Sequence, residues 1–251
     1  MQRGLVLSIV GAVILAAVAT SPAAGRPQGT SGAQVPADEW RPMFDGKSLA
    51  GWKESPFVAR GKVSVESGQI ILGNGYLTGV TWTREFPTAN YEIRYQAARL
   101  QGNDFFGAVT FPMHDSFCTF INGGWGGMVV GLSSLDLMDA SENDTMVLQP
   151  FTSGQWYTFR VRVTDDTIEV WIDDVQVIAV NVQGREVGLR PGEIENSKPL
   201  GFASYRTVGA LRNIEYRMLP PRSDAAGVAD GTTEAQRVRG YRDNQQQEEQ
   251  R

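Results

Sequence analysis

Three groups of side chains in this chain carry enough chemistry to suggest a site. The only histidine, His114, stands beside Asp115, and an imidazole next to a carboxylate is the minimum for a tuned general base or a pair of metal ligands. Beyond it, Trp125 is bracketed by glycines in Asn122-Gly123-Gly124-Trp125-Gly126-Gly127, which clears room around its ring. That ring is either a stacking platform for a sugar or a plug closing a core. Past Trp125 come Asp136, Asp139, Glu142 and Asp144, hard oxygen donors of the kind Ca²⁺ takes, or an acid/base pair. Their spacing follows no metal-loop template, so a solvated acidic loop is the competing reading. The candidate catalytic residues in this stretch are His114 and Asp115, and the candidate sugar contacts are Trp125, Asn122 and Glu142. A G-x-S-x-G elbow, an HExxH pair, a phosphate-binding glycine loop and an EF-hand order are all missing from the sequence, which removes those enzyme classes.

Short strands must position these groups. Tyr91 to Ala97 alternates strictly, placing Tyr91, Ile93, Tyr95 and Ala97 on a buried face and Glu92, Arg94 and Gln96 outside or in a cleft. Phe105–Phe111, Ser116–Ile121 and Gly127–Leu132 are strand candidates separated by the His114 and Trp125 segments, and Ser133 to Asp144 reads as a loop. Trp156–Val163, Thr167–Ile172 and Val175–Val180 alternate again around Asp165-Asp166 and Asp173-Asp174, the pattern of a three-stranded meander. Val63–Glu66 and Gln69–Leu72 form a hairpin around Ser67-Gly68. Phe44-Asp45-Gly46-Lys47-Ser48-Leu49-Ala50-Gly51-Trp52 is a turn between apolar anchors, with a structural role. A Gly/Pro-punctuated loop from Gly184 to Pro199 precedes two last strands, Leu200–Ser204 and Gly209–Met218. About a dozen short strands with no convincing amphipathic helix predict an all-β, two-sheet antiparallel sandwich of jelly-roll type.

The 251 residues carry a formal net charge of -5 without any basic run, which leaves no footprint for nucleic acid or an anionic membrane. Met1-Gln2-Arg3, the apolar run Leu5–Val18 and the small residues through Ala24 read as a signal peptide over 1–24, so the protein is expected to be secreted or periplasmic, with no stable membrane span after cleavage. Residues 25–39 read as a flexible linker, 40–221 as one domain and 222–251 as a disordered polar tail. Cys118, the only cysteine, cannot pair within the chain and reads as a small buried hydrophobe.

Four stretches together carry a resemblance: Phe44-Asp45-Gly46-Lys47-Ser48-Leu49-Ala50-Gly51-Trp52, Asn90-Tyr91-Glu92-Ile93-Arg94-Tyr95, the run from Gly154 to Val161, and the closing segment from Pro199 to Leu219 with its Arg212-Asn213-Ile214. From Trp40 to Pro220 the chain resembles the 3-keto-disaccharide hydrolase domain family. The resemblance implies a concanavalin A-like jelly roll, a carbohydrate ligand or substrate, and cleavage of glycosides already oxidised to a ketone at the third sugar carbon. The ketone acidifies the neighbouring C–H, a base removes that proton, the anomeric group leaves, and water adds; a divalent metal ion or a hydrogen-bond donor would stabilise the enolate. A non-catalytic carbohydrate-binding module on the same fold is the alternative. Family members typically carry a G-Y-E-x-Q-like strand where this chain has Gly127-Met128-Val129-Val130-Gly131, which moves the expected chemistry to His114, Asp115, Asp104 and the acidic loop.

Overall fold

A computed structural model describes residues 39–220. The signal peptide, all of the linker except Glu39, and the polar tail expected from the sequence lie outside those residues. Fifteen strands follow one another: β1 (Arg41–Pro42), β2 (Trp52–Glu54), β3 (Val63–Glu66), β4 (Gln69–Leu72), β5 (Thr78–Trp82), β6 (Tyr91–Gln101), β7 (Phe106–Met113), β8 (Ser116–Gly124), β9 (Val129–Ser133), β10 (Val147–Leu148), β11 (Trp156–Val163), β12 (Thr167–Ile172), β13 (Val175–Asn181), β14 (Gly201–Ser204) and β15 (Val208–Met218). One 3₁₀ turn, Glu193–Ser197, is the helical element among the described residues.

The strands form two antiparallel sheets. The first runs β13-β12-β11-β6-β15-β4-β3, with β1 added beside β15; the second runs β10-β9-β8-β7-β14-β5-β2. Short meanders, β11-β12-β13 and β7-β8-β9-β10, are joined within each sheet by pairings between strands distant in the chain, such as β6–β15 and β7–β14, as in a jelly roll. Period-two alternation fixes which side chains meet between the sheets. Tyr95 and Phe159 stack with centroids 5.3 Å apart, and Phe202 of the second sheet meets Tyr95 edge-on at 4.7 Å. Trp52 adds a ring 5.6 Å from Phe202, and its indole N–H donates to the Met43 carbonyl. Truncating Phe202 to alanine would therefore open a cavity beside two rings, Tyr95 and Trp52, a loss of about 3–5 kcal/mol. Cys118 is fully buried, and desolvation pushes its thiol up to about 12.

The turns form where the sequence places them. The β3–β4 hairpin turns at Ser67 (φ 50°) and Gly68 (φ 78°), and β12–β13 at Asp173 (φ 49°) and Asp174 (φ 66°). Two positive-φ residues in succession match the right-handed twist of the flanking strands. The separators around β8 are shorter than expected: Pro112 and Met113 complete β7, and Asn122–Gly124 complete β8.

On the outer face of the first sheet, Glu92 has no solvent exposure, although it alternates outward. Arg160 Nη1, Arg162 Nε and Arg217 Nε donate to its two oxygens at 3.0, 2.7 and 2.6 Å. Burial pushes this carboxyl's pKa up, but the hydrogen bonds and charges of Arg162 and Arg217 outweigh it and hold the group below the usual range.

Candidate functional site

The second sheet does not leave its outer face to solvent. The segment after β9 folds back across it and is tied to the long loop before β14: Ser134 and Gly188 exchange backbone hydrogen bonds at 2.8 and 3.0 Å, and Asp136 N–H donates to the Glu186 carbonyl at 2.7 Å. Arg185 pins the same segment by donating to Asp136 (Nε, 2.9 Å) and Asp144 (Nη1, 3.0 Å). These bonds hold both carboxyls below the usual range: at Asp136 the Glu186 N–H acts first and Arg185 second, and at Asp144 Arg185 leads. The acidic loop is thus a neutralised structural tie.

Between this cover and the sheet lies a cleft of about 540 Å³, a size suited to a small ligand. Its floor is the outward side of β8 and β9, Thr119, Ile121 and Ser133. One wall is aromatic. Tyr76 and Tyr205 meet edge-on at 5.0 Å, and Phe105 stacks on Tyr205 at 5.8 Å. The opposite wall is Arg190–Ile194 from the long loop. Two small apolar clusters flank the floor: Phe57, Leu77 and Ala203 on one side, and Ala108, Ile121, Val129 and Ala140 on the other.

Trp125 lines the cleft and is 44% exposed, so it takes the open position and not that of a core plug. Its turn is built for that pose. Trp125 (φ 48°), Gly126 (φ 90°) and Gly127 (φ 107°) all sit in the left-handed region, which glycine enters without penalty. Two side chains lock it. Asp104 accepts from Gly126 N–H at 3.3 Å and from Phe105 N–H at 2.9 Å, and the buried Arg99 donates to the Gly127 carbonyl at 3.3 Å and to that of Phe151. A Cβ on Gly127 would come within 2.8 Å of Arg99 Nη1 and 3.0 Å of the Asn103 carbonyl oxygen, at a φ of 107° that favours glycine.

Of the expected residues, Asp104 and Trp125 line this cleft together; the other four do not. His114 and Asp115 are exposed at the opposite end of β8, a strand of nine residues and therefore about 30 Å long. His114 Nε2 shares a hydrogen bond with the Asp165 carbonyl at 2.8 Å, and its N–H donates to the Thr88 carbonyl. His114 and Trp125 therefore flank opposite ends of β8 and do not line one cleft. Asn122 alternates inward, fully buried, donating weakly to the Phe106 carbonyl at 3.4 Å. Glu142 is exposed in a turn whose N–H donates to Asp139. Among the described residues no group of three or more His, Cys, Asp or Glu side chains could hold a metal ion, so the donor set does not fit a protein-held divalent cation.

Sequence reasoning missed Glu193, Arg190, Tyr76 and Tyr205. Glu193 Oε2 accepts from Val58 N–H at 3.0 Å, while Oε1 has no partner among the described residues. Arg190 pairs with Asp139 at 3.3 Å, and Asp139 in turn accepts from the Ser133 hydroxyl at 2.8 Å. Burial, and then the neighbouring Tyr76 hydroxyl, push the Tyr205 hydroxyl above its ordinary value, so it stays a proton-bearing donor. The available signal was the Arg190-Pro191-Gly192-Glu193 sequence, a charged pair set in a rigid turn.

The position of the family's Glu and Gln is also visible. Val129 and Gly131 both point to the outer face, Val129 into the small apolar cluster with Ile121 and Ala140. A Cβ on Gly131 would lie 2.9 Å from the Ala140 carbonyl oxygen, so the folded-back segment occupies the space a longer side chain would need.

Among solved structures, the chain is similar to a candidate glycosyl hydrolase from Parabacteroides distasonis ATCC 8503 (17% identity, 73% of this chain and 95% of that one, TM-score 0.47). It is also similar to the carbohydrate binding module CBM66 from Bacillus subtilis (11% identity, 66% and 95%, TM-score 0.45). A third is domain 4 of AbnA, a GH43 extracellular arabinanase from Geobacillus stearothermophilus, in complex with arabinotriose (11% identity, 68% and 84%, TM-score 0.45). No curated protein is significantly similar in sequence. The model of the 3-keto-alpha-glucoside-1,2-lyase-like domain matches residues 39–217, most of the chain, and the protein belongs to that family.

Proposed function

We propose that the domain takes a 3-keto-glucoside into the Trp125 cleft and cleaves it by elimination, with Glu193 as the base. The observation that carries this reading is that Glu193 Oε1 is a carboxylate oxygen with no partner among the described residues, in the same cleft as a half-exposed Trp125 and the Tyr205 hydroxyl. Glu193 removes the proton from C2, which the C3 ketone acidifies. The electron pair forms the enolate, whose oxygen accepts a hydrogen bond from Tyr205, and then expels the C1 oxygen substituent, which leaves as an alcohol by taking up the proton that Glu193 removed from C2, directly or through water. Water adds to the resulting C1=C2 double bond to complete hydrolysis. Trp125 supplies an apolar surface for the C–H face of the sugar ring. The protein is exported, on the strength of the pattern over Met1–Ala24.

The test is release of the C1 substituent from a 3-keto-glucoside by the purified protein, with the unoxidised glucoside as control. Without the ketone the ring C–H is too weak an acid for a carboxylate, so the control should stay intact. Turnover of both substrates alike, or turnover unchanged in Glu193→Gln, would overturn the assignment.

A second reading, sugar binding without turnover, is favoured by one observation: the outer-face positions 129 and 131, where the family carries Glu and Gln, hold Val129 and Gly131 packed against Ala140. Saturable sugar binding in the cleft with no release of the C1 substituent would select it.

A further inference from the structure

The outer face of the first sheet carries a second, smaller pocket of about 240 Å³, on the opposite side of the sandwich from the Trp125 cleft. Two tryptophans and three arginines line it: Trp40, Trp171, Arg94, Arg160 and Arg217. The guanidinium of Arg160 lies 3.7 Å from the Trp171 ring centroid; those of Arg94 and Arg217 lie 4.1 and 4.8 Å from that of Trp40. Stacking on an indole fixes the plane of a guanidinium and leaves its N–H edge to recognise an anion.

The edges of Arg160 and Arg94 are only partly used. Arg160 donates to Glu92 through Nη1 alone, and its Nε and Nη2 have no partner among the described residues. Arg94 directs Nε and Nη2 to the same oxygen of Glu215 and leaves Nη1. The buried Glu92 is shared by three arginines, Arg160, Arg162 and Arg217. Glu169 adds only a long 3.5 Å contact to Arg162. The pocket's single lining carboxylate, Asp174, sits on the exposed β12–β13 turn.

We propose that this pocket is a second ligand site, for a single sugar ring bearing a carboxylate, such as a uronic acid residue. The ligand carboxylate lies along the free edges of Arg160 and Arg94, where two parallel N–H···O bonds are geometrically favoured. Asp174 and Thr158 take the ring hydroxyls, and the indole edges of Trp40 and Trp171 take the apolar face. The volume is below the roughly 300–1,000 Å³ of sites for larger ligands, which limits the occupant to about one ring.

The experiment is calorimetric titration of the full chain with glucuronate, glucose, acetate and inorganic phosphate, on the wild type and on Arg160→Met, Arg94→Gln and Trp125→Ala. Glucuronate is expected to bind at least tenfold more tightly than the other three. Its affinity should fall tenfold or more in Arg160→Met, severalfold in Arg94→Gln, and by less than twofold in Trp125→Ala. Arg94, partly exposed, keeps the test available should Arg160→Met fail to fold. No glucuronate binding by the folded wild type, equal binding of phosphate or glucose, or loss of binding in Trp125→Ala alone would each overturn the proposal.

Discussion

The two ends of β8 look alike in the sequence and differ in the fold. Each ends in a turn with a non-glycine residue in the left-handed region, His114 at φ 52° and Trp125 at φ 48°. At the His114 end the imidazole is bonded to the Asp165 carbonyl and the His114 N–H to the Thr88 carbonyl, which ties the residue down at the surface. At the Trp125 end, Asp104 and Arg99 fix the backbone while the ring stays half-exposed, and two further segments, the Tyr76–Tyr205 wall and the Arg190–Ile194 wall, converge on it. Rarity of a residue type is thus a poor guide to chemistry. An open side chain facing aromatic and charged walls across a cleft is the better one, and it is a tertiary property.

The widest separation between the two ends should appear in turnover. Glu193→Gln is expected to lower release from a 3-keto-glucoside by 100-fold or more, in line with the usual contribution of a general base of about 10²–10⁴. His114→Ala should change the rate by less than about twofold, as expected for a surface position with no contact to reacting atoms. A large loss in His114→Ala with normal melting would break the comparison outright.

Stability comes next. Gly127→Ala combines a positive φ with a clash against Arg99 and should cost about 2 kcal/mol or more, whereas Gly126→Ala, which has open space around its Cβ position, should cost about 1 kcal/mol from backbone strain alone. Urea melts of the two variants measure the difference directly, and equal losses would mean that Arg99 does not buttress the turn.

Sugar affinity should respond less. Trp125→Ala is expected to weaken binding of a 3-keto-glucoside about tenfold, the effect of removing one aromatic anchor. Calorimetry on the Glu193→Gln background separates binding from turnover, and an unchanged Kd would remove Trp125 from the site.

The smallest effect concerns the cover over the cleft. Asp136 and Asp144 have carboxyls held below the ordinary aspartate value of 3.8, so their contribution is present above that pH and is lost as pH falls through the lower folded values. Carboxyl ¹³C titrations should give midpoints below 3.8 for both. In Arg185→Gln the midpoints should rise, Asp144 most, because Arg185 is its leading partner. Midpoints indifferent to Arg185 would leave the acidic segment untied to the long loop.

Much of the scaffold was legible because burial on one side of a sheet leaves a period-two imprint. Trp156–Val163 and Thr167–Ile172 have the strand limits their alternation predicts, and Ser67-Gly68 turns where its composition requires. Asn122 misled because glycine-rich sequence reads as loop, although Asn122–Gly124 still pairs with β9 and its side chain points inward. Glu193 was illegible for the opposite reason. Its segment has no periodicity, and only the return of the chain to Val58 places its carboxylate in the cleft. Glu92 shows a third limit: alternation correctly places it outward, but its burial depends on arginines from β11 and β15, far apart in the chain.

The central claim is that a keto sugar is held between Trp125 and Glu193. A crystal structure of the Glu193→Gln variant soaked with a 3-keto-glucoside tests it most directly. The account predicts the sugar in the Trp125 cleft, with C2 facing the side chain of residue 193 and the C3 oxygen within hydrogen-bonding distance of the Tyr205 hydroxyl. A sugar bound at the His114 turn, or an empty Trp125 cleft at saturating ligand, would contradict it.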